Sequence, residues 1–302
     1  MINFLRHTKM YLGISTILIV LSFVFMTVFG FRFSIEFLGG SKLNYRLEKP
    51  TNKETINSIL KEQKINPIEI NIKKNDIVLR LPLINEKEEK VLRDAIAKKT
   101  KSKITILSTE MIGPSMSKDI INKTIIATIL ALFVILTYMS YSFKNFRFGF
   151  AAIIALVHDI IILLGTYSLL CRFFNAEFDS MFITALLTTM SFSVHDTIIM
   201  LDQLREYIKK EGSNGDIVSY ANRSITTTII RSFNNSMVSV FMLLALVLLG
   251  GDSIRFFVLA LLIGSFCGTY SSPFIAIPVA VFLELKRKGI PFIKTLENGE
   301  NA

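Results

Sequence analysis

Apolar residues along this chain gather into long charge-poor runs, separated by stretches rich in Lys and Asn. Six runs reach or approach the ~20 residues that an α-helix needs to cross a hydrocarbon core. They are Tyr11–Gly30, Thr124–Tyr141, Phe148–Leu170, Asp179–Leu201, Arg231–Gly250 and Ile254–Leu283. The last holds Pro273 and Pro278, which predict a tilt, a kink or an early end. The first could be mistaken for a secretion signal. It is long for an apolar signal core, and Gly30-Phe31-Arg32 offers no small-residue cleavage site, so it reads as a retained anchor.

Between the first two runs the periodicity changes. Lys42–Leu47 is strand-like, and Asn52–Lys64 has a helical pattern with Thr51 as its cap. Ile68–Lys73 and Ile77–Leu81 alternate around an Asn75-Asp76 turn. Glu86–Lys99 is a charged amphipathic helix, and a last strand starts at Ile104–Leu107. The order βαββαβ is the split, ferredoxin-like motif. Such a domain docks or binds, and it shows no catalytic constellation. The prediction is an α-helical polytopic membrane protein with six transmembrane helices and a small α+β domain between helices 1 and 2. Its parts are 1–30 (N-terminus and first helix), 31–118 (α+β domain), 119–283 (helices 2–6, with a loop at 202–230) and 284–302 (tail). The 202–230 loop reads as a surface helix broken by Gly212-Ser213-Asn214-Gly215.

Composition sharpens this. The 302 residues are 51% hydrophobic with mean hydropathy +0.50, more apolar than soluble domains of this length. The net charge of +10 fits cytoplasmic Lys and Arg clusters, and no Arg-aromatic module points to nucleic acid. With the N-terminus inside, twelve Lys and Arg flank the inner ends: Arg6, Lys9, Lys144, Arg147, Arg205, Lys209, Lys210, Arg223, Lys286, Arg287, Lys288 and Lys294. Only Arg172 and Arg255 flank the short outer loops. Both termini are therefore expected in the cytoplasm, and the α+β domain in the periplasm of a Gram-negative cell. Cys171 and Cys267 have neither metal-ligand spacing nor a disulfide framework, and no metal is expected.

Ionisable residues inside a membrane helix are costly and functional by default. His158-Asp159 lie in the third run and His195-Asp196 in the fourth, while Arg231 and Asn234 open the fifth. Asp196 is 17 residues from Asp179, and Arg231 is 19 from Gly250. In antiparallel helices their depths differ by roughly 3 Å, which allows a pair. Arg231, Asn234 and Val238 share one helical face. Arginine stays charged, so Asp196 is the member that titrates as helices move apart and together. The same pair could simply hold two helices together. His158-Asp159, with no visible cationic partner, is open to either a structural or a functional reading. His195 reads as a hydrogen-bonded packing residue or as a further titratable group. Val157-His158-Asp159-x-Ile161-Ile162-x-Leu164 recurs nearly intact as Val194-His195-Asp196-x-Ile198-Ile199-x-Leu201, on spans of opposite direction. Gly264-x-x-x-Gly268 permits close helix packing.

Several stretches, in order, resemble the SecD/SecF family of the resistance-nodulation-division superfamily, on its SecF side. They are Ser34-Ile35-Glu36-Phe37-Leu38-Gly39-Gly40-Ser41, Ile112-Gly113-Pro114, Ala155-Leu156-Val157-His158-Asp159, Phe192-Ser193-Val194-His195-Asp196-Thr197 with Asp202-Gln203-Leu204-Arg205-Glu206, Arg231-Ser232-Phe233-Asn234-Asn235-Ser236, Gly250-Gly251-Asp252-Ser253-Ile254-Arg255 and Gly268-Thr269-Tyr270-Ser271-Ser272. The resemblance implies a partner, SecD, that completes a twelve-span unit beside the Sec translocon channel. That unit uses the proton gradient, with no other cofactor, to help draw exported polypeptide outward late in export. It implies a proton pathway through Asp196 and Arg231, with a further acidic residue from SecD. Glu36 and His195 depart from the family's usual Asp and Asn. The alternative is a proton-coupled exporter of small molecules or lipids from the same superfamily. Such pumps carry two large outer domains and twelve spans in one chain. An intramembrane protease finds no HExxH or paired catalytic aspartates.

Overall fold

In hydrocarbon every backbone N–H and C=O must find its partner within its own segment, so apolar runs of this length become helices. In the computed structural model, which describes residues 4–143, 146–212 and 216–290, six helices are long and apolar enough to cross a membrane. They are α1 (Thr8–Phe29), α5 (Pro114–Ser142), α6 (Phe146–Phe174), α7 (Ser180–Glu211), α8 (Ile217–Leu249) and a composite sixth. That last helix runs as α9 (Arg255–Ser271), a π-turn at Ser272–Ala276, and α10 (Ile277–Arg287). The predicted kink is thus a local widening. Pro273 lacks an N–H, and the chain absorbs the gap with one turn of i→i+5 geometry before resuming as an α-helix. Lys144, Lys294 and the Ser213–Gly215 break lie outside the described residues.

The chain divides into two compact units, Phe33–Ile126 and the remainder. In the larger unit α6, α7 and α9 form the buried centre. More than half of the apolar window of α6 is buried, against none in α5 and 11% in α1 and α8. α1 packs on α6, where Ser168 Oγ donates to the carbonyls of Phe25 (3.1 Å) and Gly30 (2.7 Å). α9 lies against α7 at Gly264, where any Cβ would overlap the Thr189 side chain. At the opposite end of the bundle from the α6–α7 loop, Glu284 of α10 is buried. It accepts from Arg287 Nε at 2.9 Å and pairs with Arg147 Nε of α6 at 2.8 Å.

Two helices differ from expectation. The 202–230 stretch is not a separate surface helix: α7 continues to Glu211 and α8 starts at Ile217. The Glu206–Lys210 ion pair (2.6 Å) supports the extension of α7, and Asp216 caps α8.

The smaller unit adds α2 (Ile35–Leu38), β1 (Gly40–Leu47), α3 (Lys53–Glu62), β2 (Glu69–Lys73), β3 (Asp76–Leu81), α4 (Glu86–Thr100) and β4 (Ile104–Ile112). The sheet is antiparallel in the order β2-β3-β1-β4. Leu43, Tyr45, Leu47, Ile77 and Leu79 alternate onto one face and meet Ile56, Leu60, Leu92 and Ile96 of the helices. The cap of α3 is Asn52 rather than Thr51, because its side chain accepts from Thr55 N at 2.9 Å. The β2–β3 turn falls on Lys74-Asn75, with Lys74 at φ 55°. Gly40, at φ 121°, passes so near β3 that a Cβ would lie 2.6 Å from Leu81 O. Arg46 grips Asp76 across the sheet through two bonds of 2.6 and 2.8 Å, which hold that carboxyl below its ordinary range.

Candidate functional site: buried carboxylates in the helical unit

A carboxylate taken into hydrocarbon must be hydrogen-bonded or it will not stay there. Asp159, midway along α6 and 6% exposed, has its oxygens supplied from three directions. Oδ2 accepts from Ser193 Oγ of α7 at 2.6 Å and from Ser271 Oγ of α9 at 2.7 Å. Oδ1 faces His158 Nδ1 at 2.9 Å. One carboxylate therefore ties together the three helices that form the centre of the bundle.

His158, 3% exposed, stacks on Tyr270 with ring centroids 6.3 Å apart and planes 28° apart. The Tyr270 hydroxyl donates to Tyr11 O at 3.0 Å and accepts from Ser15 Oγ at 3.3 Å. His158 Nε2 is buried without a hydrogen-bond partner among the described residues. The ring also borders an apolar groove lined by Leu12, Ser15, Ile154 and Ile275.

Asp196 lies about one turn further along α7 than Ser193, at the edge of burial. Its Oδ2 accepts from Ser232 Oγ of α8 at 2.8 Å. Beside it a cavity of about 30 Å³ opens between α7, α8 and α9, lined by Ser193, His195, Asn235, Ser265 and Thr269 among others. One residue further along α7, the Thr197 and Ser272 hydroxyls meet at 2.8 Å, at the start of the π-turn.

The expected ion pair between Asp196 and Arg231 is not formed. Among the described residues Arg231 makes no ion pair, and its side chain is exposed. The reason is helical phase. Successive residues on a helix point about 100° apart, and Ser232, together with Thr228, Ile225 and Ala221, faces the bundle. Arg231, Asn234 and Val238 do share a face, as their spacing indicates, but that face turns outward. His195 is also exposed and makes no hydrogen bond among the described residues, so it is not a packing residue in this structure. Gly264 and Gly268 lie at the α7–α9 crossing, where a Cβ at Gly268 would come 3.1 Å from Ser193 Cβ. The hydroxyls of Ser193, Ser232 and Ser271 went unnoticed in the sequence. The available signal was a Ser three residues before Asp196 and a Ser-Ser step ahead of Pro273. Among the described residues no three His, Cys, Asp or Glu side chains are placed to share a metal ion.

Six apolar helices with two buried, hydroxyl-bound carboxylates and a ferredoxin-like insertion between the first two helices define a polytopic membrane protein of transporter type. Residues 92–286 match the family described as protein export membrane protein SecD/SecF, C-terminal. The chain belongs to the SecD/SecF family. Similar proteins include protein translocase subunit SecF of Thermobaculum terrenum, 35% identical over 95% of both chains, and that of Haemophilus influenzae, 32% identical over 95% of this chain and 87% of the other. The crystal structure of SecDF from Thermus thermophilus, described as a translocon-associated membrane protein, superposes with TM-score 0.81 at 30% identity. That match covers 95% of this chain and 39% of the longer SecDF chain.

Proposed function

We propose that this chain is the SecF-type subunit of a SecD–SecF unit, and that the unit uses the proton gradient to assist late steps of protein translocation through the Sec channel. Asp196 is the group that gains and loses the proton. The observation that carries this reading is an ionisable carboxylate held in a membrane span by a neutral hydroxyl. One residue away, a guanidinium faces outward from the same crossing. An arginine and two asparagines on the outward face of α8 (Arg231, Asn234 and Asn235) do not suit lipid. They suit a protein surface, and the fused SecDF relative supports a SecD-like partner there. Approach of Arg231 to Asp196 would favour the ionised carboxylate, and retreat would favour the protonated one. Each charge carried across the membrane is worth about 2.3 kcal/mol per 100 mV.

His195 borders the same cavity, and Asp159 with His158 forms a second buried station. The excess of Lys and Arg at one set of helix ends supports cytoplasmic termini in a bacterial inner membrane, and with them a periplasmic α+β unit. The test is export of a secretory protein into membrane vesicles holding the partner and the channel. Asp196→Asn is expected to remove the gradient-dependent part while the subunit still co-purifies with its partner. Arg231→Lys is expected to weaken it, because Lys lacks the planar guanidinium fork and its amine can lose its proton once a partner surface covers it. Gradient-dependent export at wild-type level in Asp196→Asn would refute the role.

A further inference from the structure

Ser193 belongs to two environments at once. Its hydroxyl donates to Asp159 at 2.6 Å, and the same residue lines the cavity beside Asp196. The two residues are one helical turn apart on α7, on one side of the helix. Ser193 is buried, at 2% exposure. Ser232, by contrast, bonds Asp196 and does not line that cavity.

The groups around Asp159 are all neutral or titratable. α6 contributes His158. α9 contributes Ser271, Tyr270 behind the imidazole, and the Cys267 thiol, which lies within the carboxylate's field. α7 contributes Ser193. Among the described residues no Lys or Arg lies within ion-pair distance of Asp159, so no fixed cation locks it in its ionised form.

We propose that Ser193 is a proton relay joining Asp196 to Asp159, so that the bundle holds two protonation sites in series. This rests on the proton-coupled reading of Asp196. The cavity has room for about one water. That water takes the carboxylic proton of Asp196 and gives one of its own to Ser193 Oγ, as Ser193 passes its hydroxyl proton to Asp159 Oδ2. Asp196 ends ionised and Asp159 neutral, and the water and the serine are unchanged. Hydrogen bonds to an ionised acceptor are roughly twice as strong as those to a neutral one. Arrival of the proton therefore weakens the Ser271–Asp159 bond, which pins α9 to α6 immediately before the π-turn.

Ser193 acts through the two carboxylates, so the test must read each of them. A pH jump is applied to the complex with its partner in vesicles and followed by difference infrared spectroscopy. Carboxyl bands are assigned with Asp159→Asn and Asp196→Asn. In Ser193→Ala the Asp196 band should respond as in the wild type, and the Asp159 band about a hundredfold more slowly. Ser193→Cys, whose thiol carries a transferable proton, should recover most of the rate. An Asp159 response of wild-type speed in Ser193→Ala would overturn the relay. So would loss of both responses with no recovery in Ser193→Cys, which marks a packing role. An Asp196 band that does not respond in the wild type would instead overturn the proton reading beneath it.

Discussion

Replacing Asp159 in two ways separates its hold on the helices from its capacity for a proton. Asp159→Ala strips the acceptor from Ser193, Ser271 and His158 together, three bonds of 2.6, 2.7 and 2.9 Å. Two of the three cross between helices, and hydrogen bonds between membrane helices average about 0.6 kcal/mol and reach about 1.7, so their loss should cost about 1–3 kcal/mol. Asp159→Asn keeps nearly the same shape. Its amide oxygen can accept from both serines, and its NH₂ can donate to His158 Nδ1 in the other tautomer. His158 Nε2 has no partner among the described residues in either case. The Asn variant should therefore lose less than about 1 kcal/mol. Thermal or denaturant unfolding of the detergent-solubilised complex measures both. If Asn unfolds as readily as Ala, the two serine hydrogen bonds are not what holds the crossing, and a hydrogen-bonding role for Asp159 in the packing is refuted. If Asn is stable but export still fails, the defect lies in the proton and not in the packing.

Gly264→Ala should destabilise the helical unit by about 1–3 kcal/mol through overpacking, since the new methyl overlaps Thr189. Adding Thr189→Gly should recover part of that loss, so the double variant is less destabilised than the sum of the two singles in the same unfolding assay. In the smaller unit, the folded-state pKa of Asp76 is depressed by Arg46. Its contribution is therefore complete above the unfolded value of about 3.9 and is lost as pH falls through the lower folded value. The pair is well exposed, so it is worth only about 0.2–1 kcal/mol. Acid unfolding followed by circular dichroism should show this dependence shrink in high salt and vanish in Asp76→Asn.

Much of this architecture was legible before any coordinates. Apolar run length marks the six spans because hydrocarbon leaves a backbone no other choice. The change of period marks the βαββαβ unit because a sheet with one covered face must alternate. The buried carboxylates stood out because little else in those runs is charged. What escaped depended on phase. Arg231 and Ser232 differ by one position, yet one faces outward and the other bonds Asp196. Spacing shows which residues share a face, and only packing decides where that face points. The serines around Asp159 escaped for a different reason. Ser is common in membrane helices, and its hydroxyl becomes notable only when a carboxylate lies across from it. The ends of α7 and α8 were misjudged because the charged 202–230 stretch read as a separate, broken surface helix, whereas the Glu206–Lys210 pair supports about three more turns of α7.

The π-turn solves a problem of counting. On α6, twelve residues separate Arg147 from Asp159; on the antiparallel last helix, thirteen separate Ser271 from Glu284. Yet Ser271 meets Asp159 and Glu284 meets Arg147, so both ends of the two ladders coincide. An unbroken α-helix would carry the thirteenth residue about 1.5 Å too far and about 100° out of phase. The widened turn at Ser272–Ala276 swallows that surplus residue, as a vernier takes up the mismatch between two scales. A single-residue deletion inside the turn can thus leave both end contacts aligned. The same deletion a few positions later, within α10, turns Glu284 away from its arginine.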